Sequence, residues 1–245
     1  MTKSLITIGA GPGIGMEVAR RFGRDGYRVG IVRRSAEALR EMIEELSGEG
    51  IEAQGIAADA HDPAALRNAI EELANRFGRI DVMHHAVPGP LGTGYGPVLQ
   101  IEPDLLRTFN DARIVSALVA AQAALPFLRQ SQGSLIFTSG PADRKPLPGT
   151  AIVGVPQAAL RMLTLHLRQE LADDGIFVGL IPVAGVPAYR DRAADVARTD
   201  VAATSVLNAD RLSAADVAEA HFLMATLRDR DEWIVGQEER SLASS

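Results

Sequence analysis

Short apolar runs alternate with segments of helical periodicity along most of the chain. The apolar runs, which predict strands, are Leu5–Gly9, Arg28–Val32, Ile51–Ala57, Ile80–Ala86, Ser134–Ser139 and Ile176–Ile181. The helical segments are Ile14–Arg24, Ala36–Leu46, Ala64–Phe77, Asp104–Arg129 and Gln157–Ala172. This alternation predicts a parallel sheet with helices on both faces, because parallel strands need crossover connections. The expected fold is therefore α/β, a doubly wound sheet in three layers (α/β/α), with ligands at the carboxyl ends of its strands.

The pattern runs through nearly the whole chain, so we predict a single domain over residues 1–245. Two stretches interrupt it. Residues 87–103 begin with a segment rich in glycine and proline, and residues 183–212 carry few structural signals. Both follow predicted strands and would overhang the ligand crevice. We predict that they are substrate-side loops, with plain surface loops as the alternative.

Composition narrows the classes of partner. Hydrophobic residues make up 47% and charged residues 23% of the 245 residues, which is typical of a globular protein. The net charge of −6 argues against nucleic acid or an anionic membrane as the main partner. The chain has no cysteine, so thiolate catalysis and thiolate metal sites are excluded, and we expect no metal. No secretion signal or membrane-spanning run is apparent, and we expect a cytoplasmic protein with a small-molecule substrate or ligand.

The strongest local motif is a glycine loop between the first predicted strand and helix. Gly9, Gly11, Gly13 and Gly15 stand in the sequence GAGPGIG, in which Ile14 takes the place of the third glycine of a G-x-G-x-x-G motif. Glycine lets the backbone approach a pyrophosphate closely. The helix that follows offers unpaired N–H groups and the positive end of its dipole. We predict a dinucleotide-binding loop; a tight turn without a ligand is the alternative.

The loop and several later segments resemble the short-chain dehydrogenase/reductase superfamily, whose fold is of the Rossmann type. The matching segments are Asp59-Ala60, Ile80–Ala86, Ala123–Pro126, Gln157–Leu160 and Trp233–Gln237. The resemblance implies adenine contacts at Asp59 and Ala60, a cofactor-side strand end at Ala86, and a ribose contact at Gln157. For Asp59 the alternative is a cap on the next turn. The resemblance also implies a homodimer or homotetramer.

The end of the second strand indicates which dinucleotide binds. A site specific for NAD normally places a carboxylate there, on the ribose hydroxyl. This chain has Arg33 and Arg34 instead. An arginine fork can bind a 2′-phosphate through two hydrogen bonds. We therefore predict NADP(H) rather than NAD(H), with two solvated arginines as the alternative.

The resemblance also implies proton-transfer residues, which this chain lacks. In the family a tyrosine moves the proton and a lysine four residues later tunes it, since a phenol needs a nearby cation to act at neutral pH. None of Tyr27, Tyr95 and Tyr189 has a lysine at the fourth following position. Val153 stands at the family's tyrosine position and Gln157 at its lysine position. The phosphate half of the cofactor site is therefore expected to be intact and the chemical half altered.

Three other residues are candidates for the chemistry, although none is assigned a catalytic role. Ser139, beside Gly140 at the family's serine position, could donate a hydrogen bond to a substrate oxygen or be an ordinary strand-end serine. His85 could move a proton, or it could pack inside the fold. Arg113, at the family's asparagine position, could bind an anionic substrate. We expect instead that Arg113 forms an ion pair on the long helix.

Three functions remain open on this basis. The first is an NADP(H)-dependent oxidoreductase that moves a hydride to or from a carbonyl or alcohol. The second is a catalytically silent protein, either an NADP(H)-responsive sensor or a companion subunit. The third is a non-redox enzyme that uses His85 or Ser139. The fold alone does not choose among them.

Overall fold

The computed structural model describes residues 2–90, 92–198 and 211–236. Residues 199–210 of the second predicted loop, and Gln237, lie outside the described residues. The main sheet in this part of the chain consists of β1 (Ser4–Ile8), β2 (Arg28–Arg33), β3 (Ala53–Ala57), β4 (Val82–His85), β5 (Ser134–Ser139) and β6 (Phe177–Pro182). All six strands are parallel, in the order β3-β2-β1-β4-β5-β6.

Helices cover both faces of the sheet. They are α1 (Ile14–Arg24), α2 (Ala36–Gly48), α3 (Pro63–Phe77), α4 (Pro103–Asn110), α5 (Ser116–Ser131), α6 (Ala151–Leu171), α7 (Arg192–Val196) and α8 (Ala214–Leu227). Apolar residues of α1, α2 and α8 form one core with the sheet, and those of α3, α5 and α6 form the other. The doubly wound, three-layer fold is therefore confirmed.

Local sequence explains where several elements begin and end. Every residue of β1 is buried, as expected for a central parallel strand covered on both faces. Ser35 caps α2 by accepting a hydrogen bond from the Ala38 backbone N–H, and Asp62 caps α3 in the same way. The α3 helix ends at Gly78, which has a φ of +74° that glycine adopts without steric cost.

The long helix predicted for Asp104–Arg129 is divided in the structure. A π-helical turn, Asp111–Val115, separates α4 from α5 and contains Arg113. Such turns add a residue to the helix and occur frequently at functional sites. The whole stretch Pro103–Ser131 is long and apolar enough to cross a membrane, but more than half of its most apolar window is buried. Its apolar composition is explained by packing of α5 against α3 and β4.

Other boundaries also differ from the prediction. The helix predicted to begin at Gln157 begins at Ala151 and continues through Pro156. The segment Trp233–Gln237, which resembles the last strand of the family, forms in its described part the isolated bridge Val183–Val235, and the preceding Glu232 bridges to Leu180. The predicted loop after β6 contains α7 and a strand, β7 (Val186–Ala188), which pairs with β8 (Arg211–Ser213).

The order of the strands fixes the position of the ligand crevice. Ile8, the last residue of β1, pairs with Val32 of β2 on one side and His85 of β4 on the other. The connections from β1 and from β4 therefore leave the sheet in opposite directions at this point. Open α/β sheets bind ligands in the crevice that this reversal creates.

Candidate active site

The glycine loop lies at this reversal point and needs its glycines for different reasons. Gly9 has a φ of +78°, and a Cβ added to it would stand 2.8 Å from the carbonyl oxygen of Ala86. A Cβ added to Gly15 would stand 2.4 Å from Cα of Ala10. These two glycines let the loop, the end of β4 and α1 approach one another. They are required by the fold whether or not a ligand binds.

Gly11 and Gly13 face the crevice instead. A Cβ added to Gly11 would meet no atom within 4 Å. Gly13 is the cap residue of α1 and makes no side-chain cap hydrogen bond. The helix therefore begins with uncapped N–H groups beside open space. This is an arrangement that a pyrophosphate fits, because its oxygens accept those hydrogen bonds and meet the positive end of the helix dipole.

A cavity of about 500 Å³ extends from this loop. Residues 11–15 line one part of it, and residues 86–88, 138–141 and 183–187 line another. Both predicted loops contribute residues, including Tyr95 from the first and Tyr189 and Arg198 from the second. The described lining contains two arginines, Arg113 and Arg198, and no aspartate or glutamate. Arg198 forms an ion pair with Asp195 at 3.3 Å, so the positive charge of the described lining comes from Arg113.

The two arginines at the end of β2 have different surroundings. Arg33 is half-buried and donates a hydrogen bond of 3.2 Å to the carbonyl oxygen of Ala38 in α2. Burial lowers the pKa of Arg33, although Glu41 and Tyr189 oppose the shift. Arg34 is exposed. Of the pair, Arg34 has the freer side chain.

Asp59 forms the turn that was its alternative role. Its Oδ1 accepts a hydrogen bond of 3.0 Å from the His61 backbone N–H and lies 2.9 Å from Nδ1 of the same residue. The backbone hydrogen bond from His61 lowers the pKa of Asp59, and the charge of Arg34 contributes to the shift. Asp59 and Arg34 therefore lie near each other, beside half-buried Ala60.

His84 belongs to a buried chain of hydrogen bonds. His221 Nδ1 lies 2.7 Å from the carbonyl oxygen of Val217, which can only accept, so this nitrogen carries the proton. His221 Nε2 then accepts from Thr138, at 2.8 Å. Thr138 accepts from His84 Nε2 at 2.9 Å, and His84 Nδ1 accepts from Thr7 at 2.9 Å. Burial lowers the pKa of both histidines, so each imidazole is neutral and carries one proton. The Val217 carbonyl therefore fixes the donor and the acceptor in all four hydrogen bonds.

His85 is buried behind the strand end and does not line the cavity. Its Nε2 lies 2.7 Å from the hydroxyl oxygen of Ser116 in α5. Burial lowers the pKa of His85 to about 3, and the charge of Arg113 adds to the shift. His85 is therefore neutral at physiological pH and is placed for packing, which was the alternative to a catalytic role.

Arg113, Ser139 and Gln157 do line the cavity, and the structure brings these three together around it. The expectation that Arg113 forms an ion pair is wrong. Its guanidinium makes no ion pair or hydrogen bond with any residue in the described ranges. Arg113 lies on the π-helical turn, and its side chain is buried against the cavity, away from the acidic residues of the helix surface.

Val153 and Gln157 occupy one wall of the cavity. Val153 packs with Phe109 and Ile152, and the ring of Tyr95 packs against the same cluster. The amide of Gln157 lies against Gly140, because a Cβ added to Gly140 would stand 2.4 Å from Gln157 Nε2. The site therefore combines an aliphatic side chain, an amide, a hydroxyl and a guanidinium.

Tyr189 and Arg198 were not expected to form part of the glycine-loop region. The ring of Tyr189 lies over Gly13, and the Arg198 guanidinium stacks on that ring at 4.1 Å from its centre. Arg198 also donates a hydrogen bond of 2.6 Å to the carbonyl oxygen of Pro187. No sequence motif indicates this contact, because it joins a loop after β6 to a loop after β1.

Metal binding has no arrangement of ligands to support it in the part of the chain described. No group of three histidine, aspartate or glutamate side chains is placed to hold an ion there. The histidines of the strand ends are instead engaged with threonine and serine hydroxyls.

The fold and the glycine loop define a dinucleotide-binding protein of the doubly wound α/β class, and comparison with known proteins supplies the family. The family model for short chain dehydrogenase matches residues 3–194. The chain therefore belongs to the short-chain dehydrogenase family. Serine 3-dehydrogenase from Agrobacterium fabrum is 31% identical over 178 residues, which cover 73% of this chain and 70% of that enzyme.

Solved structures agree on the fold. A metagenomic short-chain oxidoreductase in complex with NADP aligns with a TM-score of 0.76 and 23% identity, over 96% of this chain and 97% of the other. An alcohol dehydrogenase from the archaeon Thermococcus sibiricus, complexed with 5-hydroxy-NADP, aligns with a TM-score of 0.81 and 19% identity, over 98% of this chain and 100% of the other. At these identities the likeness establishes the architecture alone.

Proposed function

We propose that the protein is an NADP(H)-dependent oxidoreductase that interconverts a carbonyl and an alcohol on a small organic substrate. The observation that carries the proposal is the continuity of one cavity. It is lined by the glycine loop at the start of α1 and also by Arg113, Ser139 and Gln157. A dinucleotide on the loop and a substrate beside these side chains would share that space. Residues 87–103 and 183–212 are proposed as the substrate-side loops.

The chain's own residues would hold the cofactor as follows. The N–H groups at the start of α1, with Gly11 and Gly13, would bind the pyrophosphate. Asp59 and Ala60 would contact the adenine, and Gln157 would hydrogen-bond the ribose next to the nicotinamide. When bound, NADP(H) supplies or accepts the hydride, which is chemistry of the cofactor itself.

The preference for NADP(H) is proposed from charge. No carboxylate stands at the end of β2, where one would repel a 2′-phosphate. Arg34 is exposed and free to bind that phosphate, while Arg33 is held by Ala38 and adds a positive potential. Two similar folds with NADP-type ligands support the choice.

The proposed chemistry assigns modest roles to the protein. Ser139 would donate a hydrogen bond to the carbonyl oxygen, whose carbon receives the hydride, and water in the cavity would supply the proton to that oxygen. His84 and His85 are poor acids here, since both are fully buried and neutral. A positioned general acid contributes roughly 10²–10⁴-fold to rate. We therefore propose slow turnover, lower by about that factor than in enzymes with such an acid.

One observation favours a second function, an NADP(H)-responsive sensor. Tyr189 lies over Gly13, where a pyrophosphate would bind, so binding would displace Tyr189 and its partner Arg198. Occupancy of the cofactor site would thereby change the position of residues 186–198. A sensor needs such a coupled segment and does not need a proton donor.

We also propose that the protein is a homo-oligomer. Large apolar side chains are exposed at the start of α5 and along α6, namely Val115, Leu118, Val155 and Met162. A second copy would cover them. Size-exclusion chromatography with light scattering tests the proposal, which predicts a dimer or tetramer for the wild type. A monomer at micromolar concentration would contradict it.

The cofactor proposal is tested by titrating the protein with NADPH and NADH while following nicotinamide fluorescence. We expect micromolar binding of NADPH and weaker binding of NADH. Arg34→Ala should weaken NADPH binding about tenfold and leave NADH unchanged, as expected for the loss of one phosphate contact. Arg40→Ala, an exposed arginine on α2, is the matched control. Failure of both nucleotides to bind would overturn the oxidoreductase and the sensor together.

Turnover separates the two functions. A panel of aldehydes and ketones is supplied to the NADPH complex, and oxidation of NADPH is followed by absorbance. Slow oxidation with at least one carbonyl compound supports the oxidoreductase. Tight NADPH binding without oxidation of any kind favours the sensor.

A further inference from the structure

Three side chains that line the cavity each carry a buried polar atom without a partner. Nε of Arg113, Oγ of Ser139 and Oε1 of Gln157 make no hydrogen bond within the described residues. The exposed fractions of the three residues are 7%, 6% and 7%. Of the five such atoms in the described residues, these three belong to the cavity lining, and buried polar groups without a protein partner are normally paired by ordered water or a ligand.

Arg113 is the most costly of the three to leave unpaired. A buried cation is usually matched by a carboxylate, because removal of a charge from water is expensive. Burial lowers the pKa of Arg113 to about 10, so the side chain is still a cation at neutral pH. Arg20 shows the usual solution in this same protein, since its equally buried guanidinium is paired with Glu17, Glu45 and Glu49.

Within residues 2–90, 92–198 and 211–236, the surroundings of Arg113 supply no counter-charge. The described cavity lining contains no acidic residue. His85 is affected by the charge of Arg113, but it is neutral. The electrostatic interaction with Tyr95 opposes the lowering of the Arg113 pKa that burial causes. Asp111, on the same π-helical turn, is exposed and makes no ion pair with it.

We propose that Arg113 is the receptor for an anionic group of the substrate, and that the substrate is a small oxo acid or hydroxy acid whose carboxylate lies on the guanidinium. The planar fork of arginine matches the two oxygens of a carboxylate. Ser139 then faces the reacting oxygen, and Gln157 accepts a hydrogen bond from a hydroxyl of the substrate or of the cofactor ribose. The inference rests on the proposed oxidoreductase function and names its substrate class.

The helix geometry supports the assignment independently of charge. A regular α-helix would keep residues 111–115 in the periodicity of α4 and α5, whereas the π-helical turn changes the face on which Arg113 lies. The turn and the unpaired guanidinium therefore occur at the same place in the chain, and such turns are frequent at functional sites.

The test compares acids with their neutral esters. The NADPH-saturated protein is titrated by calorimetry with acetoacetate and methyl acetoacetate, and with 2-oxobutyrate and its methyl ester. We expect at least one acid to bind ten times more tightly than its ester. Equal binding of acid and ester in both pairs, or no binding of either acid, overturns the proposal.

Variants assign the preference to one residue. Arg113→Met should remove the difference between acid and ester while NADPH affinity stays within twofold, and Arg113→Lys should retain part of the difference. Arg107→Gln, at an exposed arginine of α4, is the matched control and should behave as the wild type. A preference for acids that survives in Arg113→Met overturns the assignment. The wild-type comparison holds even if this variant fails to fold.

The two proposals fail in different ways. If NADPH does not bind, the oxidoreductase proposal fails, and the acid and ester pairs are then titrated into the protein without nucleotide. If the protein then binds acids more tightly than esters, and Arg113→Met removes this preference, the proposal of an anion site at Arg113 is still supported. If NADPH binds and acids show no preference, the anion site alone fails.

Discussion

The ring of Tyr189 lies against the backbone of Gly13, so closely that a Cβ atom on Gly13 would stand 3.2 Å from Cε1 of the ring. The glycine thus serves two contacts that cannot be made together, one with Tyr189 and one with a pyrophosphate. Arg198 holds the ring in place through a cation–π contact at 4.1 Å. A ligand on the loop must compete with this arrangement.

Tyr189→Ala is therefore expected to tighten NADPH binding. Removal of the ring removes the cost of displacing it, and a contact of this kind is worth about 0.5–1 kcal/mol, or roughly twofold to fivefold in Kd. Fluorescence titration measures the change. Arg192→Ala, at an exposed position on α7, is the control and should leave Kd unchanged. Weaker binding by Tyr189→Ala would show that the ring contacts the nucleotide instead.

Gly11→Ala and Gly15→Ala separate binding from folding. A Cβ added to Gly11 meets open space, so the free energy of unfolding of Gly11→Ala should stay within about 1 kcal/mol of the wild type. The variant should bind NADPH at least tenfold more weakly, because its methyl group enters the phosphate site. In Gly15→Ala the new Cβ meets backbone at 2.4 Å, and we expect a loss of about 2 kcal/mol or more.

Gly48→Ala at the end of α2 is the control for both glycine variants, because its added Cβ also meets no atom within 4 Å. It should leave NADPH affinity unchanged and raise the free energy of unfolding by no more than about 1 kcal/mol, because alanine favours the helix over glycine. Chemical denaturation and fluorescence titration measure the two quantities. Normal NADPH binding by Gly11→Ala would contradict the placement of the pyrophosphate.

The buried histidines predict how stability changes with pH. Burial lowers the pKa of His221 to about 4 and that of His85 to about 3, whereas an unfolded histidine titrates near 6.5. Below pH 6.5 the unfolded chain takes up protons that the folded chain does not, so stability falls as pH is lowered towards 4. Each of these two histidines should lower the free energy of unfolding by about 1 kcal/mol at pH 5.5, relative to neutral pH.

Denaturant unfolding at pH 7.5 and pH 5.5 tests this. His221→Gln is expected to reduce the loss between the two values by about 1 kcal/mol, whatever its effect on stability at pH 7.5. His166→Gln is the control, since His166 is exposed on α6. An unchanged pH dependence in His221→Gln would mean that His221 is not held neutral in the fold.

Arg113→Met and Arg20→Met are expected to change stability in opposite directions. Arg113 is a buried cation without an ion pair in the described structure, so an apolar side chain of similar length should raise the free energy of unfolding by about 1–3 kcal/mol. Arg20 is paired with three glutamates, and its loss should cost about 3–5 kcal/mol. Denaturation of the two variants measures both. A destabilised Arg113→Met would indicate a structural role.

The periodicity of the sequence was sufficient to predict the layers of the fold. The α1 helix, Ile14–Arg24, has the predicted bounds, and β5, Ser134–Ser139, does as well. These elements are defined by local patterns, a run of buried apolar residues or an amphipathic stripe between glycines. Helix α6 begins at Ala151 rather than at the predicted Gln157, and it includes Pro156, which local periodicity does not predict inside a helix.

Some of the site residues could be located from the sequence, and the surroundings of others could not be predicted from it. The glycine loop could be located from the sequence because its residues are contiguous and their backbone requirements are local. The environments of His85 and Arg113 could not, since each depends on elements distant along the chain. The sequence does not determine whether His85 contacts Ser116 or lines the cavity. It also does not determine whether Arg113 forms an ion pair.

By itself the sequence determined the α/β class, the position of the dinucleotide loop and the membership suggested by its motifs, because these depend on the order and spacing of neighbouring residues. Tertiary structure alone decided that Arg113 is buried without an ion pair to any described residue and that Tyr189 lies over Gly13. Residues 176 positions apart meet there because the sheet brings the ends of β1 and β6 to the same edge, and burial at that edge sets the charge each side chain can hold.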